Sequence, residues 1–184
     1  MDKERNFYKN TFHHLYNRGA NKEPIFFERE NHFFFLRRVK YYGIKYRINI
    51  LAYCLMPNHF HLFVQQTTDE FTIAMFLSSL LNSYVKSVNQ KYKRSGTLFE
   101  SKTKSKQIED ETYFKWVIKY ILENPVKAGL AENINDWEFS NAKDLLELRN
   151  GTLTNVDYVS SFFQSKKVMV EFLKDKKIKT SYEF

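Results

Sequence analysis

The sequence predicts an α+β fold with a ferredoxin-like split βαβ antiparallel sheet and helices on one face, followed by a further helix and a helical C-terminal extension. The strongest indication is the order of strand-like and helix-like segments, which reads β-α-β-β-α-β. The chain has 184 residues, 43% of them hydrophobic with 18 Phe and 12 Tyr, which is ample for one core. Five Gly and three Pro leave no flexible linker, so one globular unit is expected.

Alternating apolar and polar residues predict four strands, at 11–17, 46–55, 59–65 and 97–107. The first is closed by the turn-prone Asn17-Arg18-Gly19, and Pro57-Asn58 joins the second and third as a hairpin. Apolar residues at helical spacing predict helices at 29–42, 70–92 and 112–124. The third should stop near Pro125, because the residue before a proline avoids the helical region. Short amphipathic pieces are predicted at 141–148 and 158–174, before a basic tail.

The charge balance favours a nucleic-acid partner, because a formal net charge of +8 and a pI near 9.4 attract polyanions. A basic protein without such a partner is the alternative that charge alone leaves open. No segment approaches the roughly 20 apolar residues of a membrane-spanning helix, and residues 1–5 lack the apolar core of a signal peptide. The single cysteine, Cys54, lies in an apolar run and suits a reducing compartment, so a cytoplasmic location is expected.

Two histidines on the third predicted strand are candidate metal ligands. Side chains alternate along a strand, so His59 and His61 project to one face while Phe60 and Leu62 point to the other. Two neutral imidazoles at this spacing can grip one ion, although histidines without any ligand fit the pattern too. No histidine follows His61, so oxygen atoms must complete such a site.

A tyrosine on the third predicted helix is the candidate nucleophile. Side chains four residues apart on a helix lie on one face. Of the 12 tyrosines, only Tyr120 has a carboxylate, carboxamide or imidazole four residues later, namely Asn124. The alternative is that Tyr120 packs in the core and Asn124 caps the helix.

Two longer motifs resemble the signatures of the HUH single-tyrosine transposases, and of their REP-associated tyrosine transposase branch in particular. They are Leu55-Met-Pro-Asn-His-Phe-His-Leu-Phe-Val64 and Tyr120-Ile-Leu-Glu-Asn-Pro-Val-Lys-Ala-Gly-Leu130. Shorter segments at 16–22, 96–100 and 137–140 are similar to that branch as well. The resemblance covers roughly residues 8–145, so we expect a catalytic domain over 1–145 and a helical extension over 146–184.

The resemblance implies a DNA transposase that nicks hairpin-bearing or palindromic single-stranded DNA and transfers the strand through a 5′-phosphotyrosine. Tyr120 would be the nucleophile, and His59, His61 and Asn124 would bind a divalent ion, Mg²⁺ or Mn²⁺. No nucleotide cofactor is implied, because transesterification conserves the bond energy. Relatives include monomers and homodimers, and both states stay open here. DNA binding implies association with a bacterial nucleoid.

Basic residues around these motifs are candidate DNA contacts, with a solvated strand face as the alternative for the strand lysines. The candidates are Arg18, Lys102, Lys104, Lys106, Lys115, Lys119 and Lys127. A different class of function also fits: a non-catalytic nucleic-acid-binding module of ferredoxin-like fold. A replication or relaxation initiator with the same chemistry is a third interpretation, and the short length of the chain argues against it.

Overall fold

A computed structural model describes residues 7–176 and contains the predicted four-stranded sheet. The strands are β1 (Phe12–Arg18), β2 (Ile48–Met56), β3 (His59–Gln66) and β4 (Lys104–Ile108). They lie in the order β2-β3-β1-β4, and every neighbouring pair is antiparallel. Helix α1 (Arg29–Lys45) connects β1 to β2, and α2 (Ile73–Lys91) connects β3 to β4. This is the split βαβ arrangement, so the predicted fold class is confirmed.

The two faces of the sheet support two separate hydrophobic cores. Alternate residues of β3, including Phe60 and Leu62, pack with α1 and α2 on one face. Phe63 points the opposite way, toward α3 (Glu111–Lys127), the third predicted helix. His61 shares this second face, because it lies two residues before Phe63 on the same strand. The face that carries the candidate site is therefore covered by α3 and not by the two connecting helices.

Helix α3 ends at Lys127, two residues beyond the predicted stop, so Pro125 itself does not end it. Proline has no N–H for the carbonyl of Ile121, and this loss usually breaks the helix. Here the side-chain amide of Asn124 donates to the carbonyl of Tyr120 at 2.8 Å and reaches that of Ile121 at 3.5 Å. The carbonyl of Ile121 thus keeps a long contact with a side-chain donor in place of the missing N–H.

The fourth strand is shorter than the predicted 97–107, because residues before Lys104 make irregular contacts with β1. Gly19 forms an isolated bridge with Phe99, and the Asn17 amide donates to the carbonyl of Ser101. Lys102 therefore precedes the strand, and of the three predicted strand lysines only Lys104 and Lys106 lie on β4.

The C-terminal region is helical, as predicted, but in shorter pieces. They are α4 (Ala142–Leu145), α5 (Val156–Ser160), a 3₁₀ turn (Ser161–Phe163) and α6 (Lys166–Lys174). Gln164 adopts a φ of 64° and interrupts the predicted helix at 158–174. Phe163, Met169 and Leu173 pack into the same core as α3, and no break in packing marks the expected boundary at 145. The basic tail, 177–184, lies outside the described residues.

Within residues 7–176, none of the helices combines the length and apolar character that a membrane crossing requires.

Candidate active site

An open cleft of about 480 Å³ lies where β1, β3 and the segment before β4 meet helix α3. Residues of both motifs line this cleft: His59, Phe60 and His61 from β3, and Tyr120 and Asn124 from α3. Its lining residues are Tyr16, Asn17, Arg18, Lys22, Asn58, His59, Phe60, His61, Glu100, Ser101, Lys104, Tyr120 and Asn124.

The two histidines point into this cleft from the N-terminal end of β3. Their ring centroids are 5.1 Å apart with the rings perpendicular, so the imidazoles converge instead of stacking. Burial lowers the pKa of His59, and it lowers that of His61 well below 6.5. Both rings are therefore neutral at pH 7, which is the state that can ligate a metal ion.

Asn124 faces both imidazoles from the last turn of α3. Hydrogen bonding to Asn124 partly offsets the effect of burial on the pKa of His59 and of His61. Its amide nitrogen is occupied by the carbonyl of Tyr120, at 2.8 Å. The carbamoyl oxygen is thus left to face the two rings, which creates a set of two nitrogen donors and one oxygen donor.

Tyr120 lies one helical turn before Asn124 and lines the same cleft. Its ring centroid is 5.8 Å from that of His61, with the two rings perpendicular. Burial raises the pKa of its phenol above the usual value of 10, and hydrogen bonding to Asn124 opposes that shift. The nitrogen of Lys127 lies 5.1 Å from the ring centre, so a positive charge is close to this phenol.

A family model described as "Transposase IS200 like" matches residues 8–124, which is more than half of the chain. The chain belongs to the IS200-like transposase family. This confirms the family that the two sequence motifs predicted.

One curated relative and one solved structure are similar to this IS200-like transposase. It is 27% identical over 105 residues to a Haemophilus influenzae protein described as a candidate REP-associated tyrosine transposase, covering 52% of this chain and 59% of that one. A solved structure of a REP-associated tyrosine transposase bound to a REP hairpin superposes with a TM-score of 0.66 at 16% identity. The match covers 84% of this chain and 94% of that one, and it shows a shared fold.

Sequence reasoning left His14 and Asn58 of this IS200-like transposase unassigned, although both contact the histidine pair. The Nε2 of His14 lies 2.9 Å from the Nδ1 of His61, and the Oδ1 of Asn58 lies 2.7 Å from the Nδ1 of His59. The predicted split βαβ fold could have revealed His14, because that fold places its first strand beside its third. Tyr16 is then opposite His61, and His14 shares their face.

The predicted DNA contacts occupy different environments. Arg18 and Lys104 line the cleft, and Arg18 forms an ion pair with Glu100 at 2.5 Å. Lys102 and Lys106 are exposed beside it, with the Lys106 nitrogen 4.9 Å from the ring centre of Tyr113. Lys22, which sequence reasoning did not select, lines the cleft too.

The three lysines of α3 are engaged within the IS200-like fold. Lys115 pairs with Glu111 at 2.8 Å, and Lys127 pairs with Glu123 at 3.1 Å. Lys119 has a side chain that is 1% exposed, and its ammonium donates to the carbonyl of Phe172 at 2.9 Å and to that of Asp175 at 2.6 Å. It binds the end of α6 to α3, so the structure places it away from any DNA surface and corrects the expectation that it contacts DNA.

The donor set of the cleft fits a divalent ion that accepts mixed ligands. Within residues 7–176 there is no group of three or more His, Cys, Asp or Glu side chains that could hold a metal ion. An ion at this position would therefore depend on the Asn124 oxygen, and on oxygen atoms from substrate and water, in addition to the two imidazoles. Nitrogen and oxygen together suit Mn²⁺ better than Mg²⁺, which prefers oxygen.

Proposed function

We propose that this IS200-like transposase is a single-stranded DNA endonuclease and strand transferase that uses Tyr120 as its nucleophile. The observation that supports this most strongly is the meeting of two distant motifs in one cleft. His59 and His61 come from β3, and Tyr120 and Asn124 come from α3, more than 50 positions later. A packing role for each residue alone gives no reason for four polar side chains to face one open cavity.

In the proposed reaction, the phenol oxygen of Tyr120 attacks the phosphorus of a DNA phosphodiester. The bond from phosphorus to the 3′ oxygen breaks, the 3′ oxygen takes up a proton, and the 5′ phosphate stays on the tyrosine. Attack of another strand's 3′-hydroxyl on this phosphotyrosine reverses the step and joins two strands. One phosphodiester is exchanged for another at each step, so no nucleotide cofactor is needed.

Neutral imidazoles at His59 and His61, together with the Asn124 oxygen, would hold the divalent ion. When bound, Mn²⁺ or Mg²⁺ would supply Lewis-acid stabilisation of the charge on the non-bridging phosphate oxygens. Tyr120 itself starts as a protonated phenol, since burial raises its pKa. Positive charge beside the phenol would make this proton easier to lose; the Lys127 nitrogen, which also pairs with Glu123, lies 5.1 Å from the ring centre.

The proposed DNA surface consists of the basic residues that line or border the cleft, Arg18, Lys22, Lys102, Lys104 and Lys106. Their ammonium and guanidinium groups can contact phosphates without reading sequence. The solved REP-associated relative is bound to a REP hairpin, so hairpin-forming single strands are the proposed substrate class. A homodimer is compatible with this proposal, and so is a monomer, because all four site residues come from one chain.

Covalent trapping tests the proposal directly. A hairpin-bearing single-stranded oligonucleotide with Mn²⁺ should give a protein–DNA adduct that survives denaturing electrophoresis. Tyr120→Phe should give none, while Tyr113→Phe on the same helix serves as the matched control. Adduct formation by Tyr120→Phe at the wild-type rate contradicts the proposal.

A non-catalytic DNA-binding module is the competing function, and the basic cleft alone is compatible with it. That function predicts binding that weakens with salt but is indifferent to EDTA and to His59→Ala. Nicking that EDTA abolishes excludes it.

A further inference from the structure

The strand face that carries His61 contains a second buried histidine. His14 is fully buried on β1, and its ring lies beside that of His61, with centroids 5.1 Å apart and an angle of 23° between the ring planes. The two rings meet edge to edge through the 2.9 Å contact from the His14 Nε2 to the His61 Nδ1. A hydrogen bond at this distance needs one proton between the two nitrogens.

Both rings are neutral, because His14 is 0% and His61 6% exposed and burying a charged imidazolium is costly. A neutral imidazole carries one N–H and one lone pair. Two arrangements are therefore allowed: either His61 donates from Nδ1, or His14 donates from Nε2. They differ in what remains on the other nitrogen of His61, which is a lone pair in the first case and an N–H in the second.

The neighbouring candidate ligand, His59, shows which ring nitrogen carries the proton when an amide oxygen accepts from the ring. The Nδ1 of His59 contacts the Oδ1 of Asn58, and the Asn58 amide donates to the carbonyl of Lys22 at 3.1 Å. An amide oxygen only accepts, so the neutral His59 ring carries its proton on Nδ1 and its lone pair on Nε2. His59 is thereby prepared to bind an ion through Nε2.

We propose that His14 is the positioning residue for His61: it accepts a proton from the Nδ1 of His61 and keeps the Nε2 lone pair of His61 available to the metal ion. The inference rests on the proposed metal site. Outer hydrogen-bond partners of this kind fix the tautomer and the orientation of a ligating imidazole. The His14 ring also lies edge-on to the Tyr120 ring, with centroids 6.0 Å apart, but its hydrogen-bonding contact is with the Nδ1 of His61.

The neighbouring His13 offers a matched control on the same strand. It is 2% exposed and points to the opposite face, where its ring contacts the Ser105 and Thr11 hydroxyls. His13→Phe and His14→Phe therefore remove similar buried rings from adjacent positions. His14→Gln provides an acceptor oxygen near the original Nε2, and it should rescue what His14→Phe loses.

Nitrogen-15 NMR of the imidazoles in the full-length protein loaded with Mg²⁺, a diamagnetic ion, measures the tautomer directly. We expect the His61 Nδ1 to carry the ring proton and its Nε2 to carry none in the wild type. A protonated His61 Nε2 overturns the inference, whatever the variants do.

Mn²⁺ titration, followed by electron paramagnetic resonance or calorimetry, measures the consequence. His14→Phe should weaken Mn²⁺ binding about 10- to 100-fold, whereas His13→Phe and His14→Gln should stay within a few fold of the wild type. Unchanged Mn²⁺ affinity in a folded His14→Phe protein overturns the inference, and so does a loss in His14→Gln as large as in His14→Phe. Failure of the proposed function looks different, because the wild type itself would then bind no Mn²⁺ and form no adduct with DNA.

Discussion

Asn141 holds the chain that follows α3 against the outer edge of the sheet, and replacing it by alanine should destabilise the whole fold. The side chain is fully buried and makes three hydrogen bonds. Its Oδ1 accepts from the backbone N–H of Tyr53 at 2.9 Å, and its Nδ2 donates to the carbonyl of Leu51 and the hydroxyl of Thr154, both at 3.1 Å. Asn141 therefore supplies partners that an edge strand would otherwise lack.

The expected loss follows from the groups that Asn141→Ala leaves without a partner. A buried polar group that loses its hydrogen bond costs about 1–3 kcal/mol. Three such groups, partly relaxed toward water at this sheet edge, give an expected loss of about 3–5 kcal/mol in the free energy of unfolding. In a chain of this size, each kcal/mol lowers Tm by about 2–4 °C, so a fall of about 10 °C is expected.

Urea unfolding followed by tryptophan fluorescence measures this loss. Asn49→Ala is the matched control, because Asn49 is an exposed residue of β2, the strand that Asn141 contacts, and its side chain hydrogen-bonds to Gln65. Its expected loss is below about 0.5 kcal/mol. A loss below about 1 kcal/mol for Asn141→Ala would refute the reasoning, because it would mean that the edge of β2 does not depend on this side chain.

Three further predictions concern charge and pH. Lys119→Met should lower Tm with little change in affinity for single-stranded DNA, whereas Lys104→Met should weaken DNA binding and reduce the salt dependence of log K by about 1. Thermal melts and binding measured at several salt concentrations compare the two variants. The reverse pattern contradicts a structural role for Lys119 and a DNA contact by Lys104. Glu100→Gln should strengthen single-strand binding, because it removes a carboxylate from the cleft and releases Arg18; weaker binding in fluorescence anisotropy argues against that surface. Burial lowers the pKa of His32 to about 4. The neutral ring's contribution to stability is therefore present above pH 6.5 and is lost as the pH falls toward 4. The free energy of unfolding between pH 7 and 4 should depend less steeply on pH in His32→Phe than in the wild type.

The sheet and the histidine pair could be predicted because side chains along a strand alternate between the two faces of the sheet, which gives a sequence pattern with a period of two residues. Alternation identified β1, β2 and β3 within a residue or two, and it placed His59 and His61 on one face. The spacing of four on a helix then joined Tyr120 to Asn124. These features are local, so the sequence alone carries them.

What could not be predicted depends on contacts between distant segments. A lysine in a helix usually reads as exposed, and only the packing of α6 shows that Lys119 is buried against its carbonyls. The helix runs past Pro125 to Lys127, and the Asn124 side-chain amide lies 3.5 Å from the carbonyl of Ile121 that proline leaves without a donor. His14 acquires its partner through the register of β1 against β3, which local patterning does not show.

The identity of the residue that carries the DNA is the most direct measurement of the central claim. After reaction with a hairpin-bearing oligonucleotide and Mn²⁺, nuclease digestion and peptide mass spectrometry should find the nucleotide attached to Tyr120 through a 5′ phosphate. A modified Tyr113 or Tyr16, or a 3′-linked nucleotide, would contradict the assignment of the nucleophile and the direction of the cleavage.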